Sequence, residues 1–176
     1  LRQGDWYTPL EAGEAALVPA GEVHGTVNKS GGTARLISFQ IPPDLALYRG
    51  ERNKAEAETP RPEAGSESNV VILDLGKGSP RFISGAQVRN AFSPEKGCPQ
   101  ARLDRITLAR GDAYGYTNPD FESVFILLAG AALLDYRDQS RKLSTFDVVF
   151  LHERESVTLR NEDEQPAAFV HCSALV

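Results

Sequence analysis

One histidine stands in a spacing that can place it at a metal site. In the run GEAALVPAGEVHGTVN, His24 follows Gly13, Pro19 and Gly21 and precedes Asn28. The first glycine suits a tight turn, and the proline and second glycine bend the chain before His24 opens a strand. Imidazole is the commonest metal ligand in proteins, but a lone histidine is more often hydrogen-bonded without metal, so the residues alone leave both roles open for His24. Asn28 is expected to fix a turn rather than bind metal.

This spacing resembles the second signature motif of the cupin superfamily at all five positions. The resemblance implies an all-β chain of double-stranded β-helix, jelly-roll-like barrels, two per chain with the first incomplete. It implies that His24 points into the first barrel and ligates a divalent ion (Fe, Mn, Ni or Zn). The family's first motif supplies two more histidines and a glutamate upstream. Because Leu1–Leu10 resembles the hairpin between the motifs and the chain contains no Met, we expect that first motif outside these residues or on another chain.

A second barrel resembles the family in its strands but not in its ligands. Gly111-Asp112 resembles the start of a first motif, and Val124–Gly130 resembles its closing strand and glycine. In its first motif, the two histidines of the family are replaced by Tyr116 and Asn118, and the glutamate is replaced by Ser123, which stands beside Glu122. In its second motif, the histidine is replaced by Val157, and the proline and glycine are replaced by His152 and Arg154. The resemblance therefore implies a degenerate barrel without a metal.

The chain also resembles itself. Residues 13–40 align without gaps on residues 146–173, an offset of 133, with Glu22 over Glu155, Asn28 over Asn161 and Ala34 over Ala167. The shared order of strand, turn, strand, asparagine and loop indicates an internal repeat. The alternative is that any two β-hairpins align in this way.

The chain reads as short strands grouped into three segments. We predict a partial N-terminal cupin barrel over 1–48, a polar linker over 49–68, and a C-terminal cupin barrel with a lead-in strand and loop over 69–176. The loop Gly76–Ser79 lacks the spacing of a phosphate loop and is predicted to be a plain turn. The predicted strands are Ala15–Val18, Arg35–Ile41, Val70–Leu75, Leu103–Ala109, Val124–Leu128, Ala131–Tyr136, Val148–His152, Ser156–Arg160 and Ala167–Ser173.

Composition narrows the class of protein. The chain has 41% hydrophobic and 24% charged residues and a net charge of −5, which argues against nucleic acid or an anionic membrane as partner. The longest apolar run, Val124–Leu134, is too short to span a bilayer. Two cysteines are too few for a disulfide framework, so we expect a cytoplasmic protein. His152 and His171 are expected to be core or rim histidines rather than a second metal site.

Two functions follow from the resemblance. The first is a metal-dependent enzyme, of dioxygenase, isomerase or hydrolase type, acting on a small polar organic substrate. The alternative is a non-catalytic small-molecule-binding or structural cupin without metal, in which Tyr114, Tyr116, Phe121 and Arg102 line a pocket. A half barrel has unpaired strand edges, so we also expect a homodimer. The pattern names neither the substrate and reaction nor any catalytic residue.

Overall fold

The computed structural model describes residues 1–3, 6–20, 22, 24–43, 45–50 and 69–175. The chain divides into two units, which we call unit 1 (Leu1–Asp74) and unit 2 (Leu75–Val176). Residues 51–68 of the predicted linker lie outside the described residues.

Unit 2 consists of antiparallel strands whose side chains alternate between core and solvent, as the period of a strand requires. In Ser156–Arg160, for example, Val157 and Leu159 are buried while their neighbours are not. A short 3-10 helix spans Pro94–Lys96. The ten strands are β5 (Arg81–Ile83), β6 (Ala86–Phe92), β7 (Ala101–Leu108), β8 (Ala113–Thr117), β9 (Ser123–Ala129), β10 (Ala132–Tyr136), β11 (Gln139–Leu143), β12 (Val148–Leu151), β13 (Ser156–Arg160) and β14 (Ala167–Ala174).

These strands form two sheets around one hydrophobic core. The larger sheet has the order β12-β9-β14-β7-β6-β5, and the smaller has the order β11-β10-β13-β8. Ile106, Leu108, Phe125, Leu127 and Phe169 are fully buried in the core cluster. Each of these side chains stabilises the unit by about 1.5–3 kcal/mol relative to exposure.

The all-β prediction and six predicted strands of unit 2 are confirmed by β7, β9, β10, β12, β13 and β14. Four strands were missed: β5, β6, β8 and β11. β11 has the polar sequence QSRKL, and its place is set by its pairing with β10 rather than by any apolar period. In β6 the pairing with β7 shifts register between Asn90 and Phe92, which breaks the alternation that a sequence pattern needs.

The described residues of unit 1 form four short strands and one helical turn. They are β1 (Arg2–Gln3), β2 (Trp6–Tyr7), β3 (Glu14–Leu17), α1 (Leu45–Tyr48) and β4 (Val71–Asp74). The predicted strands at 15–18 and 70–75 are present as β3 and β4, which pair antiparallel with each other. In the part of the chain that is described, no helix combines the length and apolar character needed to cross a membrane.

The two units repeat one backbone pattern at the offset of 133. The β1–β2 hairpin and the β10–β11 hairpin have the same register, and the bridge from the first strand of each to a later residue also recurs. The paired residues are Arg2↔Tyr7, Gln3↔Trp6 and Arg2↔Gly25 in unit 1, and Asp135↔Ser140, Tyr136↔Gln139 and Asp135↔Thr158 in unit 2. If the two hairpins were similar only by chance, the bridge from each hairpin to a third segment would not be expected to recur at the same offset.

Turn hydrogen bonds recur at the same offset. Glu14 N donates to Glu11 O (3.1 Å), as Asp147 N does to Ser144 O (2.9 Å). Glu22 N donates to Pro19 O (3.2 Å), as Glu155 N does to His152 O (3.4 Å). A side-chain bond recurs with a changed donor: Gln3 Nε2 donates to Glu22 Oε2 (2.8 Å), and Tyr136 Oη donates to Glu155 Oε1 (2.5 Å).

Asn28 and Asn161 make equivalent turn contacts. Asn28 Nδ2 donates to Gly32 O (2.5 Å) and its Oδ1 accepts from Ser30 N (3.0 Å). Asn161 Nδ2 donates to Gln165 O (3.0 Å) and its Oδ1 accepts from Asp163 N (2.9 Å). The prediction that Asn28 fixes a turn is therefore confirmed.

The strand predicted over Arg35–Ile41 is wrong, because these residues form no strand. At the offset of 133 they correspond to β14, which lies between β9 and β7. At that offset, no segment in the described residues of unit 1 corresponds in sequence to β7 or β9, although β4 pairs with β3 as β9 pairs with β12. Leu36 is 63% exposed, whereas its counterpart Phe169 is fully buried. A strand needs neighbouring strands for its backbone groups, and in the described part of unit 1 no strand is paired with this segment.

Candidate functional site

Three polar side chains meet inside unit 2 where the resemblance places lost metal ligands. Tyr116 is the last but one residue of β8, Asn118 comes directly after that strand, and Ser123 begins β9. Tyr116 Oη donates to Asn118 Oδ1 (3.1 Å) and lies 3.0 Å from Ser123 Oγ. Ser123 Oγ donates to Asn118 Oδ1 (2.8 Å). The three aligned positions thus bind each other.

Asn118 ties this group to the surrounding backbone. Its Nδ2 donates to His152 O (2.9 Å), to Leu151 O (3.3 Å) and to Phe121 O. The Asn118 residue is only 1% exposed, and a buried amide is costly unless its donors and acceptor are used. Asn118 is therefore a structural anchor whose hydrogen-bonding capacity is already spent.

β14, which lies between β9 and β7 in the larger sheet, extends the group. Because side chains alternate along a strand, His171 and Ser173 share the inward face of Phe169. Ser173 Oγ lies 3.0 Å from Ser123 Oγ and 3.1 Å from His171 Nε2. The result is a continuous chain of hydrogen bonds from Asn118 to His171, which we call the interior polar chain.

His171 is held neutral at the end of this chain. Its ring stacks on Phe125, with centroids 4.0 Å apart and an angle of 6° between planes. Burial lowers the pKa of His171 to about 4, against the smaller opposite effect of the Asp104 carboxylate. Asp104 Oδ2 lies 4.0 Å from Nδ1, which has no hydrogen-bond partner. The effect of burial on the pKa of His171 outweighs that of Asp104, because other side chains already offset the Asp104 charge.

Asp104 is compensated from two sides. Arg102 Nε donates to Asp104 Oδ2 (2.7 Å), and Asn90 Nδ2 donates to Asp104 Oδ1 (3.0 Å). The pKa of Arg102 is raised by its hydrogen bond to Asp104. One face of β7 is charged at its start and apolar at its end, because it carries in order Arg102, Asp104, Ile106 and Leu108.

The interior polar chain does not fit a divalent ion. Tyr116, Asn118 and Ser123 are neutral donors whose atoms are committed to each other, and Val157, at the fourth ligand position, is buried in the core. Divalent transition metals favour imidazole, thiolate or carboxylate ligands. Across the described residues, no group of three or more His, Cys, Asp or Glu is placed to hold a metal ion.

His24 lies in unit 1 and is exposed. Its Nδ1 is 3.1 Å from Glu22 O. The Glu22 carboxylate is occupied, because Oε2 accepts from Gln3 and Oε1 accepts from Asn69 Nδ2 (2.8 Å). His24 is thus the available imidazole of this unit, and further ligands would have to come from beyond the described residues.

The other predicted site residues are dispersed. Tyr114 is buried in the core, where burial raises the pKa of its hydroxyl to about 12. Tyr116 belongs to the interior polar chain, Phe121 is half-buried, and Arg102 reaches a surface concavity. His152 is a surface residue, with Nδ1 3.9 Å from Glu122 Oε1. Expecting His171 to be a core or rim residue was correct.

Sequence reasoning missed Asp104, Ser173 and Asn90. A signal existed for the first two. Asp104 precedes Ile106 and Leu108 by two and four residues, and Ser173 follows Phe169 by four, so each shares a strand face with core residues. Asn90 lies beside the register shift in β6, where the alternation gives no such signal.

Comparison with known proteins shows the fold. No protein-family model and no curated protein matches the chain. A protein described as a predicted oxalate decarboxylase from Thermotoga maritima is 19% identical, with a TM-score of 0.51 over 56% of this chain and 93% of that chain. A Cupin 2 conserved barrel domain protein from Salinispora arenicola is 16% identical (TM-score 0.50; 58% and 84%). The cupin domain of Cnp3 from Schizosaccharomyces pombe is 13% identical (TM-score 0.52; 61% and 71%).

At these identities the likeness concerns fold and not activity. The chain contains a cupin fold, as the resemblance of its motifs predicted.

Proposed function

We propose that this chain is a two-domain cupin in which residues 1–48 form the C-terminal half of a first barrel and unit 2 is a second, degenerate barrel. The observation that carries the proposal is the repeat at the offset of 133, in which hairpin register, a third strand contact and the turn hydrogen bonds all recur. The counterparts of β6 to β9 are then supplied from outside the described residues of unit 1.

The same repeat gives His24 a place in that first barrel. His24 corresponds to Val157, which is 4% exposed, points into the core and pairs across the sheet with Tyr116. Tyr116 stands at the position of a first-motif histidine. In a complete first barrel, His24 therefore points inward and faces a ligand position of the first motif. This supports His24 as one ligand of a divalent ion (Fe, Mn, Ni or Zn).

The reaction proposed is metal-dependent chemistry on a small polar organic substrate, of dioxygenase, isomerase or hydrolase type. Unit 2 would not carry the working site itself, because its own ligand positions are filled by a neutral hydrogen-bonded chain. No residue of unit 2 is assigned a catalytic role.

The test is elemental analysis of the full natural protein after reconstitution with each of the four metals. We expect near-stoichiometric metal, lost on His24→Ala because an imidazole ligand is removed. His152→Ala is the matched control, since His152 is an exposed histidine on unit 2. Metal content unchanged by His24→Ala would contradict the proposal.

A second function has its own supporting observation. The interior polar chain fills the ligand positions of unit 2 without a metal, so this barrel is compatible with a non-catalytic small-molecule-binding or structural cupin. Absence of metal from the reconstituted natural protein, together with a copurified organic ligand, would favour this function.

We also propose a cytoplasmic homodimer. Unit 1 leaves apolar side chains uncovered, with Leu36 63%, Leu45 55% and Trp6 52% exposed, and such surface favours burial in an interface. Cys98 and Cys172 are both buried and unpaired, which suits a reducing compartment. Light scattering over a wide concentration range should give twice the monomer mass, and a monomer throughout would refute the dimer.

A further inference from the structure

A concavity on the large sheet of unit 2 is lined by a concentration of positive charge. It has a volume of about 460 Å³ and lies where β6 and β7 meet the 3-10 helix and the loop before β5. Five cationic side chains line it: Lys77, Arg81, Arg89, Lys96 and Arg102. Glu95 is the one carboxylate among its lining residues. This balance is the opposite of that of the whole chain, whose net charge is −5.

Three of these cations are oriented by neighbouring groups. Arg89 Nε donates to Gly78 O (3.3 Å) and its Nη1 donates to Gln87 Oε1 (3.1 Å). Lys96 Nζ donates to Asn90 O. These acceptors are uncharged, so Arg89 and Lys96 keep their full positive charge. Arg102 also offers hydrogen-bond donors to the concavity, but its pairing with Asp104 largely offsets its positive charge.

The loop Gly76–Ser79 forms one wall of the concavity through Lys77, Gly78 and Ser79. The prediction that this loop is a plain turn is confirmed. The turn nevertheless brings Lys77 and the Ser79 hydroxyl to the same concavity as the arginines of β5 and β6. Arginine offers a planar set of donors and lysine a compact charge, and both recognise carboxylates and phosphates.

We propose that this concavity binds a small organic anion with two or more negative charges, carried on carboxylate or phosphate groups. Its size suits a single small molecule. A long polyanion is disfavoured, because most of the molecular surface around the concavity belongs to a chain of net negative charge. The site is separate from the predicted ligand positions, since Tyr116, Asn118, Ser123 and Val157 do not line it. The proposal does not rest on a metal in the first barrel.

The experiment is a calorimetric titration of the full chain at low ionic strength with citrate, with glucose 6-phosphate and with neutral glucose. We expect one of the two anions to bind at one site per chain, more weakly as salt is added, and glucose not to bind. Which anion binds distinguishes a carboxylate ligand from a phosphate ligand. The His24→Ala variant should bind equally well, which separates this site from the metal proposal.

Arg81 provides the decisive variant, because it lies on the exposed edge strand β5 and its removal leaves the core intact. We expect Arg81→Ala to weaken anion binding by about tenfold or more, as loss of one charged hydrogen bond predicts, and Arg81→Glu to weaken it further. Arg141→Ala is the matched control: it removes the same charge from β11, in the other sheet, and should leave binding unchanged.

Three results would overturn the proposal. They are no binding of either anion at low salt, equal weakening by Arg81→Ala and Arg141→Ala, and tighter binding of a short single-stranded oligonucleotide than of either small anion. The second would show a diffuse effect of net charge, and the third a nucleic-acid surface.

Discussion

His171 couples the stability of unit 2 to pH. Its pKa is about 4 in the folded protein because burial disfavours the charged ring, whereas an unperturbed histidine titrates near about 6.5. The folded pKa is depressed, so the stabilisation is fully present above the unfolded pKa and is lost as pH falls from there through the folded pKa. The difference between the unfolded and folded pKa of His171 contributes at most about 3 kcal/mol to the free energy of unfolding.

We predict that His171→Gln removes this part of the pH dependence. Glutamine retains an acceptor for Ser173 but cannot take up a proton, so the difference in unfolding free energy between pH 7 and pH 5 should shrink. Chemical denaturation followed by near-ultraviolet circular dichroism gives this difference, and proton NMR of the three histidine rings gives the pKa directly. His152→Gln serves as the exposed control. An NMR pKa for His171 near that of His152 would refute the prediction.

At the level of the strands and turns, Gly130 is fixed by close contact as well as by backbone angle. Its φ is +79°, and a Cβ there would lie 2.5 Å from Pro166 O and 3.1 Å from Ala167 Cα. The turn between β9 and β10 thus packs directly against the start of β14. A side chain would have to displace backbone, which is much harder than moving a flexible side chain.

Gly130→Ala should therefore destabilise unit 2 by about 3 kcal/mol, the sum of a left-handed backbone and a steric overlap. Gly111→Ala is the matched control, because Gly111 has φ +84° but open space around its Cα. That variant should lose only about 1 kcal/mol, the backbone part alone. Equal destabilisation of the two variants, measured by urea unfolding, would show that the contact with Pro166 is unimportant.

The elements also show what the sequence could reveal. Apolar alternation sufficed for β7, β9 and β13, and motif spacing sufficed for the turn at Asn28. The motif alignment of unit 2 is supported at Arg154, which replaces the motif glycine, because its φ of +64° lies in the left-handed region that favours glycine. Pattern failed where pairing decides the outcome: β11 is a strand without an apolar face, and Arg35–Ile41 has the composition of a strand but pairs with no strand in the described part of unit 1. The interior polar chain was foreseen only as missing ligands, since hydrogen bonds among Tyr116, Ser123 and Ser173 depend on strands distant in sequence.

In the molecule as a whole, the two units differ in how fully they bury apolar surface. Unit 2 encloses Phe125, Leu127 and Phe169 completely, whereas Leu36 and Leu45 of unit 1 are more than half exposed. Buried apolar area is the main source of folding free energy. The units should therefore differ in their ability to fold alone.

We predict that a fragment of residues 75–176 folds by itself and unfolds cooperatively, and that a fragment of residues 1–74 does not. Circular dichroism and amide NMR dispersion of the two fragments provide the measurement. The single tryptophan, Trp6, gives an independent fluorescence signal for the smaller fragment. A folded 1–74 fragment would contradict the proposed half barrel, and an unfolded 75–176 fragment would contradict the self-sufficient core.

The neutral side chains at the ligand positions of unit 2 have a consequence for how the protein is made. Clustered imidazoles and carboxylates must be deprotonated to take up an ion, and without one they leave a barrel with unsatisfied groups at its heart. Tyr116, Asn118 and Ser123 satisfy one another from the moment the strands close. We therefore expect unit 2 to reach its folded form equally well in cells starved of transition metals.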